Sequence, residues 1–201
     1  MKYPLIVCTL LIAVGMLRAQ EMVTEPSTEK TFPSMVTVTS GGEDITLSLT
    51  GLTVRKKFFF KVYGMAHYMD TPPTGTEEAV LKEILTDGKA KQIIMEFARD
   101  VGVAQIQNAY RDGFRENAGK DEMKRIQPLV EQFVSAVKSD VKDGDRYVLT
   151  WLPGGTIQAT FGSDEAPPIT DPTFARVLWT IWFGDDSIVD PEELVSRLLT
   201  P

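Results

Sequence analysis

Residues 54–70, VRKKFFFKVYGMAHYMD, constrain the fold more than any other stretch of this 201-residue chain. Aromatic and β-branched residues dominate it, which favours a strand. Side chains alternate faces along a strand. Phe58, Phe60, Val62, Gly64, Ala66 and Tyr68 would then point one way, and Phe59, Lys61, Tyr63, Met65, His67 and Met69 the other. Both sets are largely apolar, so the strand belongs in the interior of a sheet with both faces covered. Arg55 and Tyr63 are the exceptions to explain. A straight strand would hold them about 26 Å apart. The RKK run interrupts the apolar pattern and Gly51 lies just upstream, so a turn or bulge near residues 55–57 would bring them together. Two readings stand for each. Arg55 is a solvated turn residue beside Lys56 and Lys57, or the cation of a ligand site. Tyr63 is a core aromatic whose hydroxyl finds a carbonyl, or a donor in that site.

The rest of the chain alternates strands and helices without a repeat. MVTVTSGGEDITLSLTG alternates on both sides of Gly41-Gly42, a hairpin pattern. Residues 77–85 read as a short helix and 91–97 as a strand. Helical spacing runs over 103–117 and again over 128–141, with Pro128 in the first turn or at a kink. DRYVLTWLPGGTIQATFG is a second hairpin turning at residues 153–155. Two helices close the chain, after Asp171-Pro172 and Asp190-Pro191; Asp190 and Glu193 have capping-box spacing. This order predicts an α+β fold: an antiparallel sheet with helices grouped on one side.

The N-terminus reads as a signal peptide over residues 1–20. Lys2 precedes an apolar run from Pro4 to Leu17 that is too short to span a bilayer, with cleavage expected after Ala19 or Gln20. An uncleaved anchor helix is the other reading. Residues 21–34 are expected to be a flexible lead-in and 35–201 a single domain. The expected localisation is secreted or periplasmic. Cys8, the chain's one cysteine, falls in the leader, so no disulfide is expected. Losing Lys2 and Arg18 leaves 19 basic against 28 acidic residues, a net charge of −9. Such an acidic surface argues against a nucleic-acid partner. The single histidine, His67, has no histidine or cysteine partner, so no metal site is expected.

The segment AYRDGFREN adds a second candidate region. Tyr110 and Asn117 are seven residues apart, which returns them to within about 20° on one helix face. Gly113 lies between them and would leave space for a ligand across the helix. The alternative is an ordinary core edge. Thr180 sits beside the apolar stripe of the helix at 173–184, free to bond a carbonyl one turn back.

Taken in order, these segments resemble the chalcone isomerase family, in particular its bacterial chalcone-isomerase-like branch, over about residues 35–200. GLTVR is similar to its Gly-x-x-x-Arg segment, KVYGMAHYMD to its central strand, and FARDV to an Arg-Asp signature after the next strand. YRDGFREN keeps the Tyr-x6-Asn spacing, and VLWTIWFG keeps Val-Leu-x-Thr before a glycine. The resemblance implies an open-faced antiparallel β-sheet covered on one side by a layer of helices, with a cleft between them. It implies site residues Arg55, Tyr110, Asn117 and Thr180. Tyr63 falls where the plant enzymes carry a threonine on the central strand, which is a departure. In an enzyme reading, Arg55, Tyr63 and Tyr110 would stabilise the enolate of an intramolecular Michael addition closing a chalcone to a flavanone. The favoured reading is a binding protein for a small amphipathic, fatty-acid-like anion, held by the same groups. A third is a non-catalytic envelope interaction protein, which would show a filled interior and an exposed apolar patch. No cofactor is expected, and the oligomeric state is expected to be a monomer.

Overall fold

A computed structural model describes residues 20–200. The expected signal peptide lies, but for Gln20, outside the described residues. The elements in order are β1 (Met22–Thr24), β2 (Thr31–Pro33), β3 (Met35–Ser40), β4 (Glu43–Lys57), β5 (Phe60–Met69), α1 (Glu77–Ile84), β6 (Lys91–Phe97), α2 (Val103–Asn117), α3 (Lys120–Ser135), β7 (Arg146–Leu152), β8 (Thr156–Phe161), β9 (Asp164–Glu165), β10 (Ile169–Thr170), α4 (Pro172–Phe183) and α5 (Pro191–Val195). The main sheet runs β10-β8-β7-β6-β5-β4-β3, with β9 paired to β8, and every pair in it is antiparallel. β5 lies in its interior, as its two apolar faces require.

Alternation along β5 and β6 sorts the core into two layers. Met65, Met69, Ile93 and Met95 face the helices and pack with Trp179, Trp182 and Phe183 of α4. Ala66, Tyr68 and Ile94 face the other way, with Leu47, Leu49 and Phe32. α4 is apolar nearly all round because it is buried nearly all round. Its start is fixed by Asp171, whose carboxylate accepts the Phe174 N–H at 2.8 Å, and by Pro172 in the first turn.

The second layer corrects the expectation for residues 21–34. They are not a loose lead-in: β1 and β2 pair as a short antiparallel ribbon lying on the sheet face opposite the helices. Phe32 is fully buried there, and Tyr68 donates its hydroxyl to the Pro33 carbonyl at 2.9 Å. Gly64 makes room for it, since a Cβ there would sit 2.6 Å from Thr28 Oγ1. An apolar sheet face needs cover, and this segment supplies it despite its linker-like Glu, Ser, Thr and Pro content.

Two helix boundaries also differ from expectation. α3 begins eight residues earlier than expected and ends at Ser135, so Pro128 lies in its interior. Its charged first turn masks the pattern, and its start is set by Glu122, which accepts the Gly119 N–H at 3.0 Å. Val141 leaves the helix to bridge Val101. At α5, Asp190 caps as expected, accepting the Glu192 N–H at 3.0 Å, but Glu193 turns away to accept the Thr53 hydroxyl.

His67 ties these parts together. Trp179 Nε1 donates to its Nε2 at 3.4 Å, so Nδ1 carries the proton and donates to Thr50 Oγ1 at 2.7 Å. Thr50 in turn donates to the Leu194 carbonyl at 2.7 Å. One chain of polar contacts thus joins α4, β5, β4 and α5. Burial, with a smaller contribution from nearby Lys91, pushes His67 from 6.5 to about 3.

Phe32→Ala removes a fully buried ring and should cost about 3–5 kcal/mol in urea unfolding; a change under ~1 kcal/mol would show that the ribbon is not part of the cooperative fold. Between pH 6.5 and 3 the unfolded chain takes up a proton at His67 that the folded chain refuses, so this group makes stability fall as pH drops through that window. As the chain's one histidine, its ring resonances can be followed without ambiguity; a protonation midpoint near 6.5 in the folded protein would contradict this arrangement.

Candidate functional site

The β4–β5 hairpin answers how Arg55 and Tyr63 meet. The chain reverses at Phe58-Phe59, with Phe58 at φ 55°, and a register shift falls between Arg55 and Lys56. Arg55 and Tyr63 emerge as direct cross-strand partners. Opposed residues on paired strands share a face. The expected bulge at residues 55–57 is present, with the reversal just beyond it. The alternation read from Phe58 onward is therefore corrected at its start: Phe58, Phe59 and Phe60 belong to the hairpin tip and are exposed, not interior.

Arg55 and Tyr63 line a cleft of about 390 Å³. Its floor is the sheet, through Val62, Met95, Phe97 and Tyr147. Its opposite wall is α2, through Ile106 and Tyr110, and α4, through Ile181 and Trp182. Lys57, Phe58, Phe60 and Arg99 stand at the hairpin end, and Asp112 and Glu116 on the α2 side.

Arg55 is half-buried and donates through Nη1 to the Ile188 carbonyl. Among the described residues no carboxylate lies within ion-pairing distance of it. A guanidinium carries five N–H donors, so this cation keeps unused capacity facing the cleft. The Tyr63 oxygen accepts the Trp182 indole N–H at 3.0 Å, which leaves its own proton free to donate. Burial raises Tyr63 to about 12, against the opposing effects of the Trp182 bond and the Arg55 charge. Burial, with Tyr63 and Tyr147 nearby, holds Tyr110 well above the ordinary phenol value. The Tyr110 hydroxyl has no partner among the described residues, yet its oxygen is not sealed from the cleft. Tyr147 is raised to about 12, mainly by burial. Beside Arg55 the cleft therefore presents three neutral phenols, which act as hydrogen-bond donors and not as bases, with Lys57 and Arg99 as further cations at its hairpin end. His67 lies outside the lining, committed to Thr50 and Trp179.

Of the five residues read from the sequence, the structure brings three together. Arg55, Tyr63 and Tyr110 line the cleft; Asn117 and Thr180 do not. Asn117 turns back on its helix, donating to the Gly113 carbonyl at 2.9 Å. Thr180 donates to the Val177 carbonyl at 2.7 Å. Gly113 lines the cleft, but the space a Cβ would take there is filled by α4, 2.9 Å from Ile181 Cδ1. Arg99 and Trp182 were not foreseen in the site. Arg99 was visible in the Arg-Asp signature after β6. Nothing in the sequence distinguished Trp182 from the other apolar residues of α4. Among the described residues no cluster of three or more metal-ligating side chains occurs.

A family model described as chalcone isomerase-like matches residues 29–200, and the chain belongs to that family. The crystal structure of a fatty-acid binding protein from Arabidopsis thaliana has the same fold: TM-score 0.68, 14% identity, covering 89% of this chain and 96% of that one. No curated protein matches the chain.

The phenol environments make a direct prediction. In the folded protein Tyr63, Tyr110 and Tyr147 should contribute no phenolate absorbance up to about pH 11, their values being raised by burial. A phenolate forming near pH 10 and removed by Tyr110→Phe would show that the cleft is wetter than described.

Proposed function

We propose that this protein is a non-catalytic member of the family that carries a small amphipathic anion, of the fatty-acid class, in the cleft between sheet and helices. One observation carries the reading: Arg55 stands at the cleft with no carboxylate partner among the described residues, in a lining shared with two phenols whose protons are free to donate. An acid headgroup accepting from Arg55, Tyr63 and Tyr110 completes that set with charge-assisted bonds. The apolar lining from Met95, Phe97, Ile106 and Ile181 suits the tail. The cleft volume of about 390 Å³ falls within the usual range for small-ligand sites. The fatty-acid binding protein that shares the fold supports the same class of ligand. The apolar leader supports export, with a mature chain starting at Gln20 or Glu21, which N-terminal sequencing of the recovered protein would test.

The isomerase reading draws on the same donors, since neutral phenols beside a cation also suit an enolate. The two separate experimentally. Titration with a fluorescent long-chain fatty acid should show binding that Arg55→Ala weakens about ten- to hundredfold, the loss of a charge-assisted contact of ~1.5–3 kcal/mol, while Asn117→Ala leaves it unchanged. Equal affinity in Arg55→Ala would reject the binding reading. Turnover of a hydroxychalcone above background, lost in Arg55→Ala, would establish catalysis in its place.

A further inference from the structure

We propose that the tip of the β4–β5 hairpin is a docking element for an anionic lipid bilayer. Three consecutive phenylalanines crown this hairpin: Phe58 is 85% exposed, Phe59 97% and Phe60 58%. Among the described residues the other large apolar side chains that stand out, Met22 and Met35, are only half exposed. Phe58 and Phe59, almost fully exposed, bury too little surface to contribute much to folding. Phe58 even holds φ 55°, a left-handed conformation that glycine or asparagine adopts far more readily than an aromatic residue.

The charged side chains on the tip itself are all cations. Lys56, Lys57 and Lys61 are exposed, and none pairs with a carboxylate among the described residues. Lys56 and Lys61 are direct cross-strand partners, an arrangement that works against the hairpin taken alone. Arg99 adds a fourth cation, its guanidinium 4.6 Å from the Phe60 ring centroid. Of the nearby carboxylates, Asp100 is tied to Lys142 and Asp112 to Arg115, leaving Glu116 on the α2 side. This basic, aromatic tip belongs to a chain of net charge −7. Aromatic side chains that enter the acyl boundary, ringed by cations that meet anionic headgroups, supply the two signals that stable attachment to a bilayer requires. Phe58, Phe60 and Lys57 also line the cleft, so docking in this pose sets the cleft against the lipid surface. The docking itself does not depend on what the cleft binds.

The test is co-sedimentation with vesicles of equal parts phosphatidylcholine and phosphatidylglycerol, wild type and variants prepared alike so that any contribution of the leader is common to all. Phe59→Ser should weaken partitioning about tenfold, and Phe58→Gly/Phe59→Ser further, the glycine being compatible with the local backbone. Lys56→Gln/Lys57→Gln, or raised salt, should reduce it to the level seen on phosphatidylcholine alone. Met35→Ser should leave it unchanged. Urea midpoints equal to wild type would show that the tip variants are folded. The proposal is overturned if the wild-type protein does not sediment with the anionic vesicles, or if both phenylalanine variants retain wild-type partitioning. It is also overturned if Phe59→Ser instead abolishes a concentration-dependent self-association, which would make the tip a protein interface.

Discussion

β5 is apolar on both faces, and a strand of that kind is stable only between two layers. The rest of the molecule is arranged around this requirement. α4, almost wholly apolar, covers one face together with α2 and α3, and the β1–β2 ribbon closes part of the other. Close approach is made possible by glycine. Gly64 admits the ribbon, and Gly51 admits the backbone of α5, where a Cβ would lie 2.2 Å from the Glu193 carbonyl oxygen. Polar atoms fully sealed inside this double core are each given a partner. The Trp179–His67–Thr50–Leu194 chain is the clearest case, and no fully buried side-chain nitrogen or oxygen among the described residues is left without one. Since an unmatched buried polar group costs about 1–3 kcal/mol, such a network holds its elements in one relative position.

The same strand decides the site through register. Arg55 faces Tyr63 because the reversal falls at residues 58–59 and a register shift separates Arg55 from Lys56. A slip by one residue would turn Tyr63 from the helix side to the ribbon side. The core prevents it, since the slip would also move Met65 and Met69 out of the helix-side layer. Precision in the cleft is thus inherited from packing several residues away, and the polar RKK run is held in place by the buried half of β5.

How much of this was legible depends on where each signal originates. Strands and helices with their own periodicity were readable: β6, α2 and both hairpin turns fall where their sequences place them. The start of α3 was not, because a charged first turn carries no apolar stripe and Pro128 drew the boundary toward itself. Nor was the role of residues 21–34, whose strands are too short to alternate and whose fold is imposed by the face they cover. In the site, Arg55, Tyr63 and Tyr110 were legible as polar groups in apolar surroundings. Asn117 and Thr180 shared that property and still turned back on their own helices. Sequence identifies a residue able to hydrogen-bond, but the choice between a ligand and a local carbonyl depends on which is nearer once the helices pack. Trp182 lacked any distinguishing mark, since its function is to hold another side chain, and that pairing exists only across 119 residues of chain.

Tyr63, held by Trp182 beside Arg55, bears on what the cleft does with an anion. Trp182 fixes the Tyr63 oxygen, and Ile188 fixes one arm of Arg55, so donor and cation are set before any ligand arrives. A fixed site of this kind stabilises a charge that is already present, such as a carboxylate, as fully on arrival as afterwards. Rate enhancement requires more: donors must favour the developing enolate over the ground-state ketone. Arg55 lines the cleft with its remaining donors unused, and the raised phenols stay neutral, so neither supplies a base. A ring closure would have to bring its own nucleophile already ionised. The geometry is complementary to negative charge, which is what the proposed carriage of an anion requires and what an enolate would also meet.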